Sequence, residues 1–169
     1  MRTTDLEGSE ITKVVDWKWA DGAPSWGGDG RIYFVSRGRD GKPDQVLVVG
    51  EGGGEPTHAT DGTAYESSPH WGKPGLLYLE SSARRVPGDI YLQDGEGRTQ
   101  LTRTGDAQAP TWAPDFDAVA WQAPSKEHKS VLAVWVAEFT SAEHGGPRLG
   151  TPQEVPMGGK AGPPAWGSF

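Results

Sequence analysis

The stretch Pro69-His70-Trp71-Gly72-Lys73-Pro74-Gly75-Leu76-Leu77-Tyr78-Leu79-Glu80 places a proline-tryptophan motif and a glycine turn directly before an apolar run. The same Pro-x-Trp motif occurs three more times, at Pro24-Ser25-Trp26, Pro110-Thr111-Trp112 and Pro164-Ala165-Trp166. The four tryptophans are separated by 45, 41 and 54 residues. Such spacings are typical of a repeat unit of four strands, so the sequence predicts an array of small antiparallel sheets.

Each motif opens a unit in which turns alternate with short runs rich in aromatic and β-branched residues. In the first unit, a turn at 27–30 precedes the predicted strand Arg31–Ser36, and a polar loop separates that strand from another at 44–49. The chain has 25 glycines and 14 prolines, which favour many short strands over long helices. We expect an all-β chain with units at 20–62, 63–104 and 105–158, a last strand at 9–19 and an opening strand at 159–169.

These units resemble the blades of TolB-type β-propellers, which are related to the WD-repeat propellers. A blade of that family opens with Pro-x-Trp-Ser-Pro-Asp-Gly and later carries an Ile-Tyr strand, an Asp-x-Asp-Gly turn and a Leu-Thr pair. Here Asp29-Gly30 matches the first turn, Ala113-Pro114-Asp115 matches it in part, and 89–97 with Leu101-Thr102 matches the later segments. The resemblance covers most of residues 20–125 and departs at the glycine turns that follow Trp26 and Trp71 and in the looser third unit. It implies about three complete four-stranded blades with part-blade strands at both ends.

The repeated tryptophans are expected to have a structural role. A tryptophan at the same point of every unit can fill the wedge between adjacent sheets, because few side chains bury as much apolar area. We therefore assign Trp26, Trp71, Trp112 and Trp166 to packing between blades. Trp17, Trp19 and Trp135 lie outside this position, and an exposed member of that set would suit a binding hot spot.

Charge and composition exclude several classes of partner. The net charge of −7 attracts neither phosphate backbones nor anionic lipids, so we expect no nucleic acid and no membrane as a partner. The chain has no cysteine, which leaves no disulfide, no thiolate nucleophile and no cysteine-based zinc site. The first residues lack the apolar segment of a signal peptide, so the chain as written is expected to be cytoplasmic.

The part-blade strands at the two ends raise the question of ring closure. A closed propeller would combine them into one composite blade, but they supply two strands where four are needed. Open sheet edges invite pairing with another chain. We therefore expect a homo-oligomer, most simply a dimer that pools about seven blades, or a fragment of a longer propeller.

Catalytic signatures are largely absent from the sequence. It contains no Gly-x-Ser-x-Gly elbow, Walker loop, dinucleotide fingerprint, His-Glu-x-x-His motif or EF-hand loop. The scattered histidines lack the spacing of a metal site, and the acidic turns lack a fixed series of calcium ligands. We expect no catalytic residue, metal or cofactor. The alternative is a hydrolase or lyase whose site forms in the channel on assembly, with Glu66, His70 and Tyr65 as acid, base and donor.

The residues just before each motif are the expected partner-binding rim, because the innermost strand of a blade begins near one mouth of the channel. This rim is predicted to be acidic and to favour a basic or hydrogen-bonding protein or peptide. Its predicted members are Asp21, Tyr65, Glu66, His70, Asp106, Gln108 and Lys160. The resemblance to TolB-type repeats implies a noncatalytic binding module, which is the function that we expect.

Overall fold

The computed structural model describes residues 1–4, 7–16, 21–38, 40–61, 63–141, 145–156 and 162–166. Among these residues every regular element is a β-strand, and every pairing between strands is antiparallel. The all-β prediction is therefore confirmed. None of the described residues forms a helix that is long and apolar enough to cross a membrane.

The strands form one small sheet and three larger ones. The small sheet pairs β1 (Arg2–Thr4) with β2 (Ile11–Lys13). Sheet 1 has the order β3 (Asp21–Trp26), β4 (Arg31–Ser36), β5 (Gln45–Gly50), β6 (Thr57–His58). Sheet 2 has the order β7 (Tyr65–Gly72), β8 (Gly75–Ser81), β9 (Asp89–Gln93), β10 (Arg98–Gln100). Sheet 3 runs β11 (Gln108–Trp112), β12 (Ala118–Pro124), β13 (Leu132–Thr140), and the outer edge of β13 pairs with both β14 (Arg148–Leu149) and β15 (Gln153–Glu154).

Three apolar clusters hold the sheets together. Side chains alternate between the two faces of a strand, and both faces of β4 and β8 are apolar. One face of sheet 1 packs Tyr33 and Val48 against Leu76 and Tyr78 of sheet 2. The other face of sheet 2 packs against sheet 3 through the largest cluster, which includes Leu77, Leu79, Ile90, Leu92, Val119 and Trp121. The sheets therefore stack face to face in chain order.

The first strand of each sheet carries the same irregularity. The pairing register shifts between Gly22 and Ser25 in β3, between Ser67 and His70 in β7, and between Gln108 and Thr111 in β11. In each case the residue before the motif proline has a positive φ, 47° at Ala23, 52° at Ser68 and 46° at Ala109. This is a β-bulge, which bends the strand and increases its twist. The Pro-x-Trp motif thus marks a repeated backbone conformation as well as a repeated side chain.

Two of the repeat tryptophans pack on the glycine turn of the preceding unit. A Cβ atom added at Gly28 would lie 2.9 Å from the ring of Trp71, and one added at Gly72 would lie 2.3 Å from the ring of Trp112. Such close approach requires glycine, which explains the glycine turns that follow Trp26 and Trp71. Trp112 also donates its indole N–H to Gly75 O at 3.1 Å.

The first and last repeat tryptophans are more exposed than the expected packing role requires. Trp26 is 57% exposed and Trp166 is 40% exposed, whereas Trp112 is 2% exposed. Among the described residues, no sheet with a glycine turn precedes sheet 1. Trp26 therefore has no such turn to pack on. Trp71 and Trp112 therefore pack between sheets as expected, and Trp26 does not.

The segment expected to be the last strand of a part-blade has another arrangement. Ile11–Lys13 pairs with Arg2–Thr4 and with no other described strand. Val14 and Val15 follow it and cover the outer face of sheet 1 at Ile32 and Phe34. The N-terminal amine donates to Val15 O at 3.0 Å and fixes this cover in place.

Candidate functional site

A cleft opens between sheets 1 and 2 at the end where their first strands begin. We call it the arginine cleft, and its volume is about 340 Å³. Glu66 lines it, together with Arg37, Tyr65, Ser67, Ser68, Arg84 and Arg85. It therefore contains two of the predicted rim residues, Tyr65 and Glu66.

The topology explains why arginines reach this rim. In an antiparallel sheet the second strand ends where the first begins, so the loop after the second strand lies at the same edge. Arg37 directly follows β4, and Arg84 and Arg85 lie in the loop after β8. These loops belong to neighbouring sheets and meet across the cleft.

An ion pair connects the two loops. Arg84 donates to both carboxylate oxygens of Asp44, from Nε at 2.7 Å and from a terminal nitrogen at 2.6 Å. Asp44 also accepts the backbone N–H of Gly38 at 2.9 Å. A bidentate pair of this kind holds both partners in a defined orientation, so the cleft has a fixed wall.

The charge of this cleft differs from the acidic rim that the sequence predicts. Arg37 and Arg85 line the cleft and have no ion-pair partner among the described residues. The acidic prediction counted only residues that precede each motif and omitted the loops that return to the same edge. Among the side chains that the structure describes, the accessible charge in the cleft is therefore positive.

Glu66 is a structural link between sheets rather than an exposed binding group. Its side chain is 1% exposed, and Oε2 accepts the backbone N–H of Val46 at 2.8 Å and the hydroxyl of Thr60 at 2.5 Å. The backbone N–H of Glu66 donates to Asp44 O at 2.9 Å. Glu66 thereby fastens the beginning of β7 to β5 and to the loop that precedes β5.

Behind Glu66 lies a cluster of carboxylates that Arg98 balances. Ligand atoms of Asp61, Glu66 and Glu80 lie within 4.8 Å of one another, a set that oxygen-seeking cations can use. Arg98 contacts Asp61 at 2.9 Å and Glu80 at 2.5 Å. Burial raises the pKa of Glu80, and Arg98 opposes that shift. The cluster therefore has a guanidinium counter-charge within the chain.

A second cavity, which we call the proline groove, follows the bulges of the three first strands. Its volume is about 590 Å³, and Pro24, Pro69, Pro110 and Pro164 line it. His70 also lines this groove and joins sheet 2 to sheet 3. Its Nδ1 accepts the backbone N–H of Trp112 at 3.2 Å, and its Nε2 lies 3.3 Å from Thr111 Oγ1. Burial lowers the pKa of His70, which favours the neutral ring that this contact needs.

The structure does not bring the three proposed catalytic residues to one site. Tyr65 and Glu66 line the arginine cleft, whereas His70 lines the proline groove. Both ring nitrogens of His70 face groups of sheet 3. Oε2 of Glu66 accepts hydrogen bonds from Val46 of sheet 1 and from Thr60. No observation favours the enzyme alternative.

Two further predicted rim residues, Asp106 and Gln108, do not line the cleft. Asp106 accepts the hydroxyl of Thr104 at 2.5 Å, and Gln108 begins β11 opposite Gln122. The side chain of Asp21 and the whole of Lys160 lie outside the described residues, as do Trp17 and Trp19. Trp135 is half-buried and packs against the cluster between sheets 2 and 3.

The arginines were missed because no single motif contains them. The signal that could have found them is their position in the repeat, since Arg37 in the first unit and Arg84-Arg85 in the second both follow the second strand. No protein-family model matches this chain, and comparison with curated proteins finds no similar sequence.

Proposed function

We propose that this chain is a noncatalytic β-propeller module of the TolB type that binds a protein or peptide and is completed by a second copy of itself. The support is the repetition of one unit. Three successive sheets share the same strand order, the same bulge before the motif proline and face-to-face stacking. Blades of a propeller are related in this way.

One hydrogen-bond series carries the proposal of self-completion. Ser25, the middle residue of the first motif, accepts the backbone N–H of Trp71 through Oγ at 3.0 Å. His70, at the same place in the second motif, accepts the backbone N–H of Trp112. Thr111 stands at the same place in the third motif, and Trp26 is the motif tryptophan that no described unit precedes.

Apolar side chains are accessible at both ends of the stack of sheets, and Trp26 is 57% exposed at one end. The face of sheet 3 that points away from sheet 2 carries Ala118, Val134 and Val136, and no sheet of the described residues packs on it. A groove of about 640 Å³ separates part of this face from Trp166. A head-to-tail contact between this face and the Trp26 end of a second copy would continue the series. Made twice, such a contact closes a ring of two copies.

The peptide-binding part of the proposal is supported by the two cavities at the first strands. The arginine cleft and the proline groove both lie along β3 and β7, and Ser68 lines both of them. A concave surface on a rigid sheet scaffold, with a few polar groups, is the usual form of a binding site.

The solution mass tests self-completion. We expect a species of twice 18.1 kDa in sedimentation equilibrium. Trp26→Ala should weaken the association by about tenfold or more, because exposed tryptophans at interfaces are common hot spots. Val86→Ala, a truncation of another exposed apolar side chain, should leave the mass unchanged. A single species of 18.1 kDa at all concentrations would refute self-completion.

A random peptide library tests the binding role. We expect the chain to retain individual peptides from the library, and calorimetry to give micromolar dissociation constants for them. Tyr65→Ala, at the cleft, should weaken the binding of these peptides. Lys73→Ala, in the turn at the opposite end of sheet 2, is the control. Failure to retain any peptide would refute the binding role.

A further inference from the structure

We infer that the arginine cleft binds an oxyanion on the side chain of an extended peptide, either a carboxylate or a phosphate. The inference rests on the proposed peptide-binding function and specifies its ligand. It reverses the expectation of a basic partner, and it depends on the charges and donors that the fold brings together at this rim.

The first step is the charge balance of the cleft. Its charged lining, among the described side chains, consists of Arg37, Arg84 and Arg85 against Asp44 and Glu66. Asp44 is occupied by the bidentate contact with Arg84, and Glu66 is 1% exposed with Oε2 bonded to Val46 and Thr60. Arg37 and Arg85 therefore line the cleft without a carboxylate partner among the described residues, in a chain whose net charge is −7.

The second step is the balance of hydrogen-bond donors and acceptors. Ser67 and Ser68 are half-buried beside the bulge, and their hydroxyls have no partner among the described residues. Tyr65 adds a third hydroxyl to the lining. Arginine carries only donors, and a hydroxyl can donate one hydrogen bond. A ligand that satisfies this lining must supply acceptors, and a carboxylate or phosphate supplies the most acceptors in the least space.

The third step is preorganisation. The Asp44–Arg84 pair and the bond from Glu66 N to Asp44 O hold the 37–44 loop against β7 and the loop after β8. A site whose walls are already fixed loses less entropy when it binds. The cleft, at about 340 Å³, has room for one or two side chains. The geometry therefore fits an acidic side chain presented by a peptide rather than a bulky cofactor.

The test uses four labelled ten-residue peptides in fluorescence anisotropy with the full chain. One alternates Glu with Ser, the second has phosphoserine in place of Glu, the third has Gln and the fourth has Lys. We expect the Glu peptide, the phosphoserine peptide or both to bind at least tenfold more tightly than the Gln and Lys peptides. Their affinity should fall as salt is raised, because the unpaired arginines are exposed enough to be screened.

Two substitutions assign the binding to the cleft. Arg37→Gln and Arg85→Gln should each weaken the anionic peptides about tenfold, the usual effect of losing one charge-assisted hydrogen bond. Lys73→Gln removes the same charge at the opposite end of sheet 2 and should change affinity less than twofold. All three positions are exposed, so folding is expected to be retained and is checked by circular dichroism.

The outcomes separate this inference from the proposed function. If the anionic peptides bind no better than the Gln peptide, or if both arginine variants bind them like the wild type, the inference is refuted. Library peptides that still bind through Tyr65 would then leave the binding role standing. If neither the library peptides nor the anionic peptides bind, the binding role and the cleft inference are both refuted. A difference between the Glu and phosphoserine peptides identifies which oxyanion the cleft prefers.

Discussion

Trp112 is 2% exposed, and its ring packs edge-on against Phe139 with the ring centroids 4.8 Å apart. Trp26 occupies the same motif position in the first unit and is 57% exposed. At the residue scale the environment of a repeat tryptophan therefore depends on whether a preceding unit presents a glycine turn to it. Gly72 does so for Trp112, and Gly28 does so for Trp71.

This difference predicts unequal costs for the same substitution. Trp112→Ala should lower the free energy of unfolding by about 3–5 kcal/mol, because it leaves a cavity in the largest cluster. Trp26→Ala should change the stability of the monomer by less than about 0.5 kcal/mol. Urea unfolding at low protein concentration measures both values. Equal losses in the two variants would contradict the assignment of Trp26 to an exposed position that no other sheet covers.

At the element scale, the first strand of each sheet is defined by its bulge. Ala23, Ser68 and Ala109 all adopt left-handed φ angles directly before a motif proline. This conformation is unfavourable for residues with a side chain and is retained where the surrounding structure imposes it. The bulges align the prolines along one groove, and the middle residues of the first two motifs, Ser25 and His70, bond to the next sheet.

The bulge predicts a sharp dependence on side-chain shape at Ala109. Ala109→Val should destabilise the fold by about 2 kcal/mol, because a β-branched side chain opposes a positive φ more strongly than alanine does. Ala109→Gly should stay within about 0.5 kcal/mol of the wild type, since relief of strain offsets the added freedom of the unfolded chain. Thermal unfolding of both variants tests this. A valine variant as stable as the wild type would show that the strand does not need the bulge.

At the scale of the whole molecule, polar contacts between sheets accompany the apolar clusters. Glu66 bonds sheet 2 to sheet 1, the Asp44–Arg84 pair joins their loops, and His70 bonds sheet 2 to sheet 3. Apolar faces tolerate small sliding movements, whereas a hydrogen bond requires one relative position. These contacts set how each sheet lies on the next.

The contact made by His70 predicts a loss of stability in mild acid. Burial lowers the folded-state pKa of His70 below 6.5, so the unfolded chain takes up a proton first as the pH falls. This contribution to stability is present above pH 6.5 and is lost as the pH falls from there toward the folded-state pKa. The loss by about pH 5.5 should be under about 1 kcal/mol, because the ring is only partly buried and solvent screens it.

His70→Gln is the matched control, since its amide oxygen can accept the Trp112 N–H without titrating. Urea unfolding of both proteins at pH 7.5 and 5.5 isolates the effect from that of the other histidines. A wild-type protein that loses no more stability than the variant would contradict the role given to His70.

Much of the fold was determined by sequence alone. Arg31–Ser36 forms a strand with the bounds expected from its aromatic and branched residues, and the strand expected at 44–49 is observed at Gln45–Gly50. Strand formation and reversal depend on neighbours a few residues away, so local sequence carries that information. The motif tryptophans and their spacing likewise indicated a repeated unit.

The tertiary structure alone decided the character of the candidate site. Asp44 and Arg84 are 40 residues apart and meet only because two sheets stack with their loops at one edge. The same stacking buries Glu66 and joins His70 to sheet 3. Both residues were expected to bind a partner, and both make structural contacts instead. Burial and pairing depend on which faces pack together, and that is set by the summed packing of whole sheets rather than by any one motif.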